Sequence, residues 1–334
     1  MTEQRSDWPG VQLHVVTGKG GTGKSTVAAA LALALASAGR HVLLCEVEGR
    51  QGIARMFDVD PLPYEEVRVA RGLAVDGERP GTVYALHIDP ESALLEYLAM
   101  YYKLGRAGKA LDRFGVVEFA TTLAPGVRDV LLTGKVYEAA RRNARNKGAQ
   151  TYDAIVLDAP PTGRITRFLN VNDELAGLAK VGPIRQQADT VMTLFRSEQT
   201  RVHLVTVLEE MPVQETADGI AELEAADLPV GGVVVNLVRP RELDDEDLSA
   251  LRDGALTEQA VADDLTREGL SADLATALLA EGRDHAERRA LEDSQRSLVA
   301  ELERPTYELP RLAGGVDLGG LYELAALLKE QGLA

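Results

Sequence analysis

The chain has 334 residues, enough to bury a sizeable core in one large α/β domain or two modest ones. Its formal net charge is −16, with the acidic residues spread through the chain, which works against non-specific binding to nucleic acid or to anionic lipid. The lone Cys45 excludes an internal disulfide and a CxxC metal knuckle.

The polar N-terminus leads straight into a strand without a signal-peptide pattern, and no apolar run is long enough to span a bilayer. A cytoplasmic location is therefore the expectation. Strand-like runs occur at 11–17, 41–47, 83–89, 154–160, 201–208, 231–238 and 306–310. Most are nearly continuous apolar stretches, as in strands covered on both faces. Helical patterns separate them, which predicts an α/β fold with a doubly wound, mostly parallel sheet. The first helix, "STVAAALALALASAG", is apolar on nearly all sides and should be buried, with Gly39 ending it. Residues 90–148 and 240–304 interrupt the rhythm with consecutive helical patterns. The expected organisation is one domain over 1–334, with helical insertions at those two places.

Gly18-Lys19-Gly20-Gly21-Thr22-Gly23-Lys24-Ser25-Thr26 matches the phosphate-binding pattern G-x-x-x-x-G-K-[ST] and sits between a predicted strand and a predicted helix. Glycines allow backbone N–H groups to turn toward phosphate oxygens, and the helix start adds its positive end. Lys24 is placed to reach the β- and γ-phosphates of a nucleotide, and Ser25 to ligate Mg²⁺. Asp158, ending "AIVLD", is the candidate second metal residue; the alternative is a strand-end cap for the next helix. "PPTG" after it reads as a rigid turn ending in glycine. Lys19 is a second lysine in the loop. On the residues alone it joins the site, points to solvent, or pairs with a local acid.

"GKGGTGKST" carries the extra lysine of the deviant Walker A class of P-loop ATPases. Within that class, "DAPPTGRITRFL" (158–169) closely resembles the switch II of arsenical-pump and tail-anchored-protein-targeting ATPases, D-T-A-P-T-G-H-x-x-R-F-L. Further echoes are "IDPESALLEY", "PGVRD", "PVQET", "VVVN" and "ELPRLAGGVDLGGLYEL", in the family's order, with most likeness to the actinobacterial branch of ArsA-like anion-transporting ATPases. The resemblance implies an ATPase that binds ATP or ADP with Mg²⁺ and works as a dimer, either a homodimer or a heterodimer with a paralogous subunit. It implies that Lys19 contacts the partner subunit's ATP phosphates. It also implies that Asn236 contacts adenine, unless it is merely a turn residue, and that Pro310 and Arg311 lie on the adenine side.

Switch I departs from the pattern. The family reads S-T-D-P-A-H-x-L, whereas this chain reads Glu46-Val47-Glu48-Gly49-Arg50-Gln51-Gly52-Ile53. Glu48 falls on the water-orienting aspartate and is one methylene longer; a displacement of about 1 Å can cost roughly 10²-fold in rate. Hydrolysis is thus expected to be slow or to need a partner, unless Glu48 is only a solvated loop acid. The alternative function is a nucleotide-binding regulatory or scaffold subunit with little turnover, complemented by a paralogue.

Arsenite binding is not expected, because a soft metalloid needs several thiolates and the chain has one cysteine. His14, His41, His87, His203 and His285 show no zinc-ligand spacing. The apolar faces of 93–104 and 127–138, with Met100, Tyr101 and Tyr102, read as helical core or as a groove for a protein client. The C-terminal helix carries one lysine and is expected to pack on the domain.

Overall fold

Leu13 and Val15 of β1 (Leu13–Gly18) point to one face of a sheet and Val16 to the other, and both faces are covered. The same alternation holds in β2 (Val42–Glu46), β5 (Ala154–Asp158), β6 (Thr200–Thr206) and β7 (Val230–Val238). That is why these strands read as unbroken apolar runs. The computed structural model describes residues 6–49, 51–74, 79–102, 125–142, 150–170 and 183–334. With β3 (Val67–Arg71), β4 (Thr82–His87) and β8 (Thr306–Pro310), the described residues form an eight-stranded sheet of order β3-β4-β2-β5-β1-β6-β7-β8. Every pairing is parallel except β3 with β4. This is the expected doubly wound α/β architecture.

α1 (Lys24–Ser37) is buried from Val27 to Ser37. It lies between the sheet and the C-terminal helix, here α11 (Leu318–Glu330), which buries Leu321, Leu324, Ala325 and Leu328 against it. An all-round apolar helix needs cover on every side, and truncating one such leucine to alanine costs about 2–5 kcal/mol. The chain turns out of α1 at Gly39, whose φ is 86°. α2 (Gly52–Met56) follows β2 on the same face.

The opposite face is covered by α4 (Pro125–Arg141), α5 (Thr162–Leu169), α6 (Pro183–Phe195) and α7 (Glu210–Ala225). α3 (Pro90–Tyr102) precedes α4; Lys135 of α4 pairs with its Glu96 at 2.8 Å. Arg142 also spans this region, bonding Glu66 and Glu138. After β7 come α8 (Asp245–Arg252), α9 (Glu258–Arg267) and the long α10 (Ala275–Ala300), with a small cluster of Leu248, Leu251, Leu279 and Ala286.

Two sequence expectations need correction. β3 lacks a counterpart among the predicted strands, because its Val-Arg-Val-Ala-Arg alternation is short and half exposed, as an edge strand can be. The stretch after Asp158 is not a turn ending at Gly163: the turn is only Pro160–Pro161, and α5 starts at Thr162 with Gly163 inside it. Pro161 sits directly before the first helical residue, where its missing N–H costs nothing. The side chains of Met100, Tyr101 and Tyr102, and residues 103–124, lie outside the described residues, so the client-groove expectation is not addressed there.

Candidate functional site

The site forms where β2, β5 and β1 end side by side. In register, Glu46 stands opposite Asp158, and Asp158 opposite Val16. Three segments therefore leave the same edge: residues 19–23 after β1, 47–49 after β2, and 159–161 after β5. Such carboxyl-terminal edges of parallel sheets are where ligands bind in this architecture.

The first loop runs into α1 through Gly23, at φ 87° and ψ 27°, a left-handed conformation that disfavours a side chain. No side chain caps the start of α1, so its leading N–H groups are open to an anion. The loop is braced from within and from behind. Thr22 Oγ1 donates to the Lys19 carbonyl at 2.9 Å, and Asn236 Nδ2 donates to the Thr22 carbonyl at 2.9 Å. A second tie runs from β1 to the loop after β5, where Thr17 Oγ1 donates to the Pro160 carbonyl at 2.7 Å.

Ser25 Oγ donates to Asp158 Oδ2 over 2.6 Å. Asp158 is only 5% exposed, and burial pushes its carboxyl up to about 6. The Ser25 hydrogen bond and the Lys24 charge pull it down, while Glu46 and Glu48 push it further up. A hydroxyl and a desolvated carboxylate meeting at one point are hard oxygen donors, and a cation between them would relieve the burial of the carboxylate. This donor set fits Mg²⁺.

Glu46, which the sequence reading left without a role, is 2% exposed. Its Oε1 accepts from the Gly52 N–H at 2.8 Å, so it closes the loop that carries Glu48. Its Oε2 lies 3.5 Å from His87 Nδ1. Glu48 itself is half-buried in a pocket of about 170 Å³ lined also by Arg128, Pro160 and Arg164. Arg50 lies outside the described residues.

Lys19 pairs within its own chain: Nζ is 2.6 Å from Glu215 Oε1 on α7. Of the alternatives left open for Lys19, the local acid is the one seen. Glu215 belongs to the quoted "PVQET", but nothing in its spacing pointed to the loop. Beside Lys19 a cleft of about 860 Å³ runs past Gly20, Gly21 and Thr22 to Leu237, Leu291 and Arg311. Asn236 lies behind Thr22 at a kink where β7 loses register and Leu237 takes φ 58°. Pro310 is the last residue of β8, and the Arg311 N–H bonds the Val238 carbonyl at 2.8 Å. Thr26 turns its hydroxyl toward Met56 Sδ at 3.7 Å rather than into the cleft.

Among the described residues no group of three or more His, Cys, Asp or Glu is placed to hold a metal by itself. Cys45 is fully buried in β2, and burial raises its thiol well above the ordinary range. No helix among them is long and apolar enough to cross a membrane.

A sequence model described as anion-transporting ATPase matches residues 11–197. The chain is 52% identical over 333 residues to the ATPase BagA of Mycobacterium tuberculosis, covering 98% of this chain and 96% of that one. It is 25% identical over 275 residues to the ATPase GET3B of Arabidopsis thaliana, covering 68% and 64%. It is 27% identical over 256 residues to an arsenical pump-driving ATPase of Escherichia coli, covering 70% and 40%.

Proposed function

Because the chain belongs to the anion-transporting ATPase family and hydrolyses ATP, we propose that it works as a dimeric nucleotide switch, closing on ATP and coupling closure to a client. The observation that carries this reading is the convergence of the phosphate loop, Asp158 and the Glu48 loop on one sheet edge, with Ser25 already bonded to Asp158.

In this reading the backbone N–H groups of Gly20 to Lys24 cradle the phosphates, and Lys24 neutralises the β- and γ-phosphate oxygens. Ser25 and Asp158 would hold Mg²⁺, which would supply positive charge against the phosphate oxygens. Glu48 orients the attacking water, and Glu46 fixes the loop on which Glu48 rides. Lys19 serves the nucleotide of the second subunit, supplying positive charge where the transition state is most negative. The cleft beside Lys19 takes the nucleoside, with Asn236, Pro310 and Arg311 on the adenine side. The second subunit is another copy or a paralogue, in a cytoplasmic setting. The client would bind at the helical insertions that the sequence leads us to expect at 90–148 and 240–304 of a single ATPase domain, and it would not be arsenite given the single thiol.

Steady-state turnover and light scattering with ATP test it. Lys24→Ala should lose ATP binding. Lys19→Ala should bind ATP but turn over at least tenfold more slowly, the order expected for a charge supplied only in the transition state. Wild-type turnover in Lys19→Ala, or a monomer at saturating ATP with and without a paralogue, would sink the dimeric switch.

A further inference from the structure

The carboxylate that holds Lys19 also holds the segment after Asp158. Glu215 Oε1 takes Lys19 Nζ at 2.6 Å, and its Oε2 accepts from Thr162 Oγ1 at 3.5 Å. Thr162 is buried and is the first residue of α5. Glu215 thus links the phosphate loop to α5 through one side chain on α7.

The contact between α5 and α7 is built along matching faces. Thr162 and Thr166 stand four apart on α5, while Glu215, Gly219 and Glu222 follow at helical spacing on α7. Thr166 Oγ1 donates to Glu222 Oε2 at 3.3 Å. Between these rungs, a Cβ on Gly219 would stand 3.4 Å from Thr162 Cγ2, so the helices approach closely there. Glu215 is the end of this ladder and the rung that reaches Lys19.

We propose that Glu215 is a positioning residue for Lys19, holding it inside its own chain until nucleotide phosphates displace it, with α5 setting how firmly it is held. The proposal rests on the reading of Lys19 as a phosphate-facing group. A lysine is a point charge on a flexible stem, so it can swing from one anion to another without rebuilding the loop. The side chains of the pair are 29% and 36% exposed, so the hold is modest and reversible. A triphosphate facing the lysine competes with the carboxylate for it, and the share of Lys19 still held by Glu215 at saturating ATP limits turnover. Movement of α5 would withdraw Thr162 from the carboxylate and change the geometry offered to Lys19. A resting chain with Lys19 so engaged turns over slowly until ATP and a second subunit are both in place.

The test is a cycle of four proteins: wild type, Glu215→Gln, Lys19→Ala and the double variant. Glutamine keeps the volume and can still accept from Thr162, but removes the charge that holds the lysine. Glu215→Gln should raise kcat about two- to fivefold, the range of a partly exposed ion pair, with KM little changed. In the Lys19→Ala background the same substitution should leave kcat unmoved. General removal of negative charge near the site acts in both backgrounds and cannot mimic this pattern. An equal change in both backgrounds, or a fall in kcat for Glu215→Gln, would overturn the proposal. A second readout needs no turnover: acetylation of Lys19 in ATP-free protein, followed by mass spectrometry, should be faster in Glu215→Gln. An unchanged rate also overturns it. If Lys19→Ala turns over like wild type, the dimeric switch fails on its own account, and labelling alone decides whether Glu215 holds Lys19.

Discussion

Asn236 reaches through from β7 to donate its amide to the carbonyl of Thr22 over 2.9 Å, so the phosphate loop is held from behind by a strand two places away in the sheet. The same amide fills the space over Gly23: a Cβ there would come within 2.3 Å of Asn236 Nδ2. The glycine is thus required twice, by its left-handed backbone and by its neighbour.

Gly23→Ala should abolish ATP binding and lower stability by about 1–3 kcal/mol, from backbone strain with overpacking. Asn236→Ala should cost roughly 1 kcal/mol by leaving the Thr22 carbonyl unpaired. Because the two residues touch, the effects should not add: Gly23→Ala should be milder in the Asn236→Ala background. Urea unfolding of all four proteins reads the coupling directly. Simple additivity would show that the strain lies in the backbone alone.

Glu46→Ala should release the Glu48 loop. It leaves the Gly52 N–H without its partner and opens a gap beside Asp158. We expect kcat to fall at least tenfold while ATP affinity changes less than threefold, since in the proposed reading the loop acts on the water rather than on the phosphates, and small misplacements near the reacting atoms can cost about 10²-fold. Single-turnover hydrolysis with a separate binding titration would separate the two. Equal losses in both would place Glu46 in nucleotide binding itself.

His14 and His203 form a buried pair between β1 and β6, with Nδ1 of one 3.1 Å from Nε2 of the other and the rings stacked at 5.3 Å. Gly232 N–H donates to His203 Nδ1, so the His203 proton sits on Nε2 and is donated to His14. Burial drives His203 down to about 3, helped by Arg201. Burial lowers His14 also, with His203, Arg40 and Arg201 adding to it. An unfolded histidine titrates near 6.5, so the unfolded chain takes up these protons first. Stability from the pair is complete above about pH 6.5 and drains away as pH falls below it, down to about 3 for His203, by roughly 1.4 kcal/mol per unit for each ring that stays neutral in the folded chain. Asp158 works in the opposite sense: its raised carboxyl binds a proton more readily in the folded chain and returns some stability below about pH 6. Unfolding midpoints should therefore drop from pH 7 to pH 5, less steeply after His14→Leu with His203→Leu and more steeply after Asp158→Asn. A flat profile in the native chain would show that the pair is protonated without cost.

Gly81→Ala should be strongly destabilising although it lies far from the phosphate loop. A Cβ on Gly81 would meet the Arg40 carbonyl oxygen at 1.8 Å, and Gly81 N–H already bonds the Ala36 carbonyl at 2.8 Å where α1 ends. Backbone cannot step aside as a side chain does, so a loss of more than about 3 kcal/mol is expected. A Tm within a degree or two of wild type would mean that β4 shifts freely against α1.

The phosphate loop, Asp158 and the doubly wound sheet were legible because each is written in local sequence: nine consecutive residues, an apolar strand ending in aspartate, and apolar runs alternating with helical patterns. β3 was not, since a half-exposed edge strand carries little of the apolar signal that marks a central one. The helix at Thr162 was obscured by Gly163, a poor helix former whose place is decided by Pro161 and by packing of Ile165 and Phe168. The sequence by itself determined the local shape of the loop at 18–26, because its glycines and the helix start at Lys24 make that shape without distant partners. Only the tertiary structure decided that Glu215 takes Lys19, that Glu46 closes the Glu48 loop, that Asn236 braces Thr22 and that two histidines pair in the core. Those partners come from different strands and helices, some nearly 200 or more residues apart. No local pattern encodes such a meeting; the register of the parallel sheet and the helices packed on it bring the partners together.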